Sequence, residues 1–278
     1  MLWLVSLLTL LATATAVVSV SHRRAAQRLA ERVTLEASAD GAIRIAMLRI
    51  IAPAAAAQPV TAGMTLELEM PGGPAQVAIQ RERGRLDLNS ADEQLIFALF
   101  VANGWEAQRA HAMAARIADW TDADDDRREG GAEASDYTAA GRPYGPRNGP
   151  FESVEELRQL LGSEDIAPDL FDALTVYTHE RVPSLRTSES VVRALRYAEA
   201  NHLGDRSWLP EGGVSAQGGA VIQDTARAFE GEVLRVRACA GREDAKRCRL
   251  AIVRVTGSNQ HPLQIYDWRT TPAPARTP

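Results

Sequence analysis

Residues 1–51 read MLWLVSLLTLLATATAVVSVSHRRAAQRLAERVTLEASADGAIRIAMLRII, and no proline interrupts the chain before Pro53. Met1 to Ser21 carries no charged residue. That is about the 20 residues a helix needs to cross a hydrocarbon core. From Arg23 onward Ala, Leu, Arg and Glu dominate, all good helix formers. Apolar positions recur at Leu29, Val33, Ala37, Ile43, Met47 and Ile50 or Ile51, a helical spacing. The stretch predicts one helix of about 50 residues, roughly 75 Å long at a rise of about 1.5 Å per residue. Its first part (1–21) is expected to span a membrane and its second to pack by one face on a domain. A signal peptide is the rival reading, with Ala12-Thr13-Ala14 or Ala14-Thr15-Ala16 as small-residue cleavage sites. No basic region precedes the apolar run. The cluster His22-Arg23-Arg24 would by itself orient the following chain to the cytoplasm.

Working outward, the residues after Gly63 change period. Met64 to Met70 (MTLELEM) alternates apolar and polar side chains, Pro71-Gly72-Gly73-Pro74 is a turn, and Ala75–Gln80 and Arg85–Asn89 keep the period of two. This predicts a three-strand meander. Helices are expected next: Asn89 or Ser90 capping a helix to Asn103, then Trp105 to Trp120 with Ala110, Met113, Ala114 and Ile117 on one face. Further on, Ser153 caps Val154–Leu161 with Glu156 in the capping-box position. Ala167–Ala173 and Thr187 or Ser188 to His202 follow, and a short helix is expected over Ala220–Ala226. Leu174–Thr178 reads as a strand returning to the sheet. Phe229–Ala238 and Arg249–Thr256 form a hairpin, Gln264–Trp268 is a last strand, and the residues after 268 are an expected disordered tail.

Between these helices lies DWTDADDDRREGGAEASD, Asp119 to Asp136, with eight carboxylates against Arg127 and Arg128 alone. Hard cations such as Ca²⁺ take six to eight oxygens, which a short acidic loop can supply. Asp122, Asp124, Asp126 and Glu133 fall at positions 1, 3, 5 and 12 of an EF-hand-like loop, although Arg127 stands where that loop needs Gly. The competing reading is a solvated acidic loop whose charges repel.

Cys239 and Cys248 flank a polar loop between the two hairpin strands. Facing positions suit a disulfide of an oxidising compartment; two unpaired thiols are the alternative. The net charge of -5 argues against nucleic-acid binding. None of His22, His111, His179, His202 and His261 sits in a nucleophile or metal-hydrolase motif. Helix-hairpin-helix-like halves around Leu88–Gly104 and Phe151–Gly162 are the only hint of phosphate contact. The architecture is α+β, divided as 22–88 and 221–268 for a sheet domain and 89–220 for an inserted all-helical domain.

The chain resembles protein K, the large minor pseudopilin of type II secretion. The signature is Leu86-Asp87-Leu88-Asn89, Ile117-Ala118-Asp119-Trp120-Thr121-Asp122-Ala123-Asp124, Gly131-Ala132-Glu133, Tyr137, Pro143-Tyr144, Arg147-Asn148-Gly149-Pro150-Phe151, Ser153-Val154-Glu155-Glu156-Leu157 and Leu174-Thr175-Val176-Tyr177. The resemblance implies a pilin-like long N-terminal helix on an antiparallel sheet, with a large helical domain inserted into it. It implies structural calcium in that insert, with Asp122, Asp124, Asp126 and Glu133 as ligands. Asp119 is a further ligand or a helix-end carboxylate behind them. The family often has Asp directly after Gly-Ala-Glu; here it is Ala134, which leaves Asp136 as the substitute. It further implies no catalysis and a place at the tip of a periplasmic pseudopilus with the I and J minor pseudopilins. The H type, the major pseudopilin and the inner-membrane assembly platform are further candidate partners. The location implied is the bacterial inner membrane, crossed once, with the C-terminal domain in the periplasm. Pseudopilin precursors carry a basic leader ending in Gly; a late start codon is expected to explain its lack here and the charge-orientation conflict. A calcium-binding interaction domain outside any secretion machine is the alternative.

Overall fold

The computed structural model describes residues 2–51, 63–183, 188–203, 229–242 and 245–272, with side chains 8, 11, 12 and 14–21 outside that description. The expected helix over Ala220–Ala226 lies outside the described residues. The chain divides into two compact units, 1–80 with 224–278 and 81–223.

The first unit is built on α1 (Leu2–Ile51), 50 residues without a break. In its apolar part the hydroxyls turn back on the helix: Ser6 Oγ donates to Leu2 O at 3.0 Å and Thr13 Oγ1 to Thr9 O at 2.9 Å. Each thereby satisfies its donor without needing a partner outside the helix. Among the described residues no helix is long and apolar enough to cross a membrane, and much of the expected 1–21 span falls on side chains not described. Further along, Ala39, Ala42, Ile43, Ala46, Met47 and Ile50 are buried. Their spacing of three and four residues makes one stripe, and the three alanines let the helix approach its sheet closely.

That sheet has five strands in the order β1-β2-β5-β6-β7: β1 (Thr65–Met70), β2 (Gly73–Arg81), β5 (Val233–Ala240), β6 (Arg247–Val255) and β7 (Leu263–Thr271). The pairs β1/β2, β5/β6 and β6/β7 are antiparallel. Leu66, Leu68, Val77, Ile79, Leu234, Val236, Ala251 and Val253 meet the α1 stripe in one core. The β1–β2 turn also touches α1: Gly72 N donates to Ser38 Oγ at 3.0 Å, and a Cβ on Gly72 would come within 2.7 Å of that oxygen. Cys239 and Cys248 face each other across β5/β6 and form a disulfide. The expected tail begins later than 269, because Arg269 to Thr271 pair with β6.

One carboxylate ties helix to sheet edge. Asp40 Oδ1 accepts from Arg249 Nε on β6 and from Trp268 Nε1 on β7, each at 2.7 Å. Arg44, one turn on, lies over the Trp268 ring at 5.5 Å. Ile43 and Met47 belong to the unit's own core, in keeping with the expected packing of this part of α1 by one face on a domain. The apolar side chains of α1 that remain exposed include Leu29 and Val33, at 62% and 56%.

The second unit contains β3 (Leu86–Asp87), α2 (Glu93–Ala102), α3 (Ala107–Thr121), α4 (Ala134–Ala139), α5 (Pro168–Asp172), β4 (Leu174–Thr175) and α6 (Glu189–Ala200). It is not all helical. The segments expected to be a third meander strand and a returning strand instead pair with each other: Leu86 sits opposite Leu174 and Asp87 opposite Thr175, in parallel. Both residues of each strand are buried, so this ladder is part of the unit's core rather than an edge of the large sheet. The unit starts near Arg81 rather than 89 for the same reason. The segment after Ser153 is a 3-10 helix, Val154–Gln159, with the expected capping box of Ser153 and Glu156. The α2 cap is Asp92, which accepts from Gln94 N at 2.9 Å, in place of Asn89 or Ser90.

Replacing Asp40 by Ala leaves two donors without their acceptor, a loss on the order of 2 kcal/mol. Urea denaturation followed by circular dichroism should show that loss; an unchanged midpoint would sink the assigned role.

Candidate metal centre

Helix α3 begins at Glu106, whose carboxylate accepts from Arg109 N at 3.0 Å. Ala110, Met113, Ala114, Ile117 and Trp120 fill the core of the unit. That face places Asp119 beside Trp120 in the last turn, fully buried. A carboxylate there sits at the negative end of the helix dipole, so it needs donors from elsewhere. The acidic loop returns them. Ala132 N donates to Asp119 Oδ2 at 2.9 Å and Arg128 Nη1 to Oδ1 at 2.8 Å. Gly131 has to be glycine here, since a Cβ would sit 1.9 Å from Asp119 Oδ2.

The other acids divide into two groups. Asp122 follows α3; its Oδ2 pairs with Arg128 Nη1, and its Oδ1 is buried without a hydrogen-bond partner. Glu133 is only 4% exposed, and neither of its carboxylate oxygens has a partner. Burial first, then the charges of Asp119, Asp122, Asp125 and Asp124, pushes the Glu133 carboxyl up to about 7. Hydrogen bonds to Asp122 and Asp119 hold the Arg128 guanidinium even more firmly charged than usual. Arg128 joins Asp119 to Asp122, and the charges of both, with those of Asp125 and Asp124, reach Glu133.

Asp136 and Asp126 are engaged elsewhere. Asp136 Oδ2 accepts from Glu133 N at 2.9 Å and its Oδ1 pairs with Arg127 Nη1 at 2.9 Å. The Glu133 backbone N–H, and Arg127 after it, hold the Asp136 carboxyl below its ordinary range. Asp126 is exposed, and its backbone N–H donates to Asp124 Oδ1 at 3.0 Å. Among the described residues no three Asp, Glu, His or Cys side chains are set to close on a metal ion as they stand. The donor chemistry nevertheless fits a hard cation. The donors are carboxylate oxygens, and three of them, Asp122 Oδ1 and both of Glu133, are buried without a hydrogen-bond partner, which is costly in a low-dielectric site. Sequence reasoning passed over Arg128 and Gly131. The signal for both was local: an Arg pair and a Gly pair breaking an otherwise acidic run.

Residues 77–178 match the family model of type II secretion system (T2SS), protein K. This segment is similar to protein K. The fold as a whole resembles a chain in the crystal structure of the GspK-GspI-GspJ complex from the enterotoxigenic Escherichia coli type 2 secretion system. The likeness has a TM-score of 0.59 at 17% identity and covers 91% of this chain and 100% of that one. No curated protein matches the chain in sequence.

Within the protein K segment, the residues around the acidic loop are fastened by side chains that imitate backbone. Asn89 exchanges two hydrogen bonds with Phe151, donating Nδ2 to its carbonyl at 3.0 Å and accepting its N–H at 2.7 Å. Phe151 stacks on Trp120, with centroids 6.1 Å apart, and Tyr137 lies 5.9 Å from the same indole. Buried Asp87 accepts from Thr178 N, Thr178 Oγ1 and His179 N through Oδ2, at 2.9 to 3.0 Å, and from Asn89 N through Oδ1. Its charge is fully answered, in contrast to that of Glu133.

The Glu133 carboxyl titrates near 7 folded and near its ordinary 4.5 once exposed. The folded chain therefore holds more protons between these values, and stability falls as pH rises through them. With a chelator present, Glu133→Gln should melt like the parent at about pH 4.5 and above it at about pH 8. Melting curves offset equally at both pH values would contradict this.

Proposed function

We propose that this protein is a minor pseudopilin of the K type, seated at the tip of a type II secretion pseudopilus and helping to start its assembly. The observation that carries the reading is the protein K match over 77–178 together with a fold likeness extending over 91% of the chain. In the related structure, GspK is found with GspI and GspJ. By analogy the partners here are I-type and J-type minor pseudopilins. The apolar start of α1 would anchor the chain in the inner membrane and leave both units in the periplasm. The Cys239–Cys248 disulfide is at home in such an oxidising compartment. For α1 to bundle with partner helices, the contacts must come from side chains its own sheet does not use. Leu29 and Val33, one turn apart and exposed, are the candidates.

The acidic loop would hold structural calcium through Asp119, Asp122 and Glu133, with Asp124 beside them. Calcium would neutralise mutually repelling carboxylates and so become part of the stability of the folded insert.

Two measurements test the reading. Leu29→Glu with Val33→Glu should reduce co-purification with the I and J pseudopilins at least about tenfold, the scale of charges buried unpaired in an interface. Retention at the parent level would remove this face of α1 from the assembly. Separately, the metal content and melting temperature of the chelator-treated chain should both fall. If each added cation restores about 3 kcal/mol at a hundredfold excess over Kd, the shift amounts to several degrees. A melting curve indifferent to the chelator would reduce Asp119 to Glu133 to a self-contained salt-bridge loop.

A further inference from the structure

We infer that Arg128 is a built-in counter-cation of the acidic loop, competing with calcium for Asp119 and Asp122 and so setting the affinity of the site. The inference rests on the calcium reading above.

The geometry of one nitrogen carries it. Arg128 Nη1 serves both carboxylates, 2.8 Å from Asp119 Oδ1 and in contact with Asp122 Oδ2. The same two oxygens would be among those that hold a calcium ion, so ion and guanidinium would compete for them. Arg128 is also free to leave. Its side chain is 40% exposed, and its Nε already lies 4.0 Å from Glu93 Oε2 in the first turn of α2. Glu93 offers a second anion to receive it without opening a cavity.

What Arg128 leaves undone points the same way. It reaches neither oxygen of Glu133 nor Oδ1 of Asp122, all three buried without partners. One positive charge with planar donors cannot wrap three carboxylates, whereas a divalent ion with six to eight coordination positions can. Arg128 thus answers the two carboxylates nearest the end of α3, keeps the loop folded in the absence of metal, and gives way to a cation that answers all three. Its neighbour Arg127 has no such role, because its Nη1 is committed to Asp136.

The test uses the full chain in detergent, stripped with a chelator and titrated with calcium alone by calorimetry, beside melting curves with and without calcium. Arg128→Gln should bind calcium roughly tenfold more tightly than the parent, the scale of a moderate coupling between two bound charges. Its metal-free form should melt lower than the metal-free parent. Arg127→Gln is the charge-matched control and should stay within about twofold of the parent, as expected of a screened surface charge. Arg128→Lys keeps the charge without the planar fork and should fall between parent and Arg128→Gln. It also keeps the test open if Arg128→Gln does not fold without metal. Unchanged or weaker affinity in both Arg128 variants would overturn the competition while leaving the calcium site standing. An equal gain in Arg127→Gln would overturn it too, since the effect would then be that of net charge. No calcium bound by any of the four proteins would overturn the calcium reading and this inference together.

Discussion

A carboxylate buried at the carbonyl end of a helix is the constraint from which the loop takes its shape. The apolar spacing of α3 commits Ala110, Met113, Ala114, Ile117 and Trp120 to the core, and Asp119 is carried in with them. Water is excluded and the helix terminus is electrically unfavourable to it. The chain must therefore send donors back within a dozen residues. It does so with the backbone N–H groups of Arg128 and Ala132 and the Arg128 guanidinium, and the return requires the bare backbone of Gly131. The stacked aromatic residues Trp120, Phe151 and Tyr137 close the other side of the same turn.

The sheet unit solves a gentler version of this problem. Asp40 also receives a guanidinium, from Arg249, but shares its oxygen with an indole N–H and remains partly exposed. It behaves as a tie between helix and strand. Asp87 is a third case, buried as deeply as Asp119 but supplied with backbone and hydroxyl donors at both oxygens. Of the three, only the Asp119 cluster is left with carboxylate oxygens that no described residue hydrogen-bonds, which is why it reads as a site and the others as structure.

Much of the fold was legible in the sequence because period is a local property. The proline-free run to Ile51, the alternation of Thr65–Met70, the facing cysteines and the Ser153–Glu156 box all declare themselves within a few residues. Where the reading failed, the deciding partner was distant. Leu86–Asp87 has the alternation of a meander strand, but its mate is Leu174–Thr175, and nothing in either dipeptide announces a parallel pairing across the unit. At the acidic loop, spacing named the oxygen donors without distinguishing those turned inward from those satisfied elsewhere. Asp136 is spent on the Glu133 backbone and Arg127, and Asp126 faces solvent. The importance of Arg128 follows from a shared nitrogen, which no one-dimensional pattern records.

The strand order has a kinetic consequence. Strand β2 ends at Arg81 and its neighbour β5 begins at Val233. Closing that junction means pinning together chain ends separated by the whole of the second unit, while the β5/β6 hairpin needs only its own short loop and the adjacent disulfide. The entropy of such a long closure is lost before its contacts form, unless the intervening chain is already compact. An intervening segment that condenses first shortens the effective closure between β2 and β5.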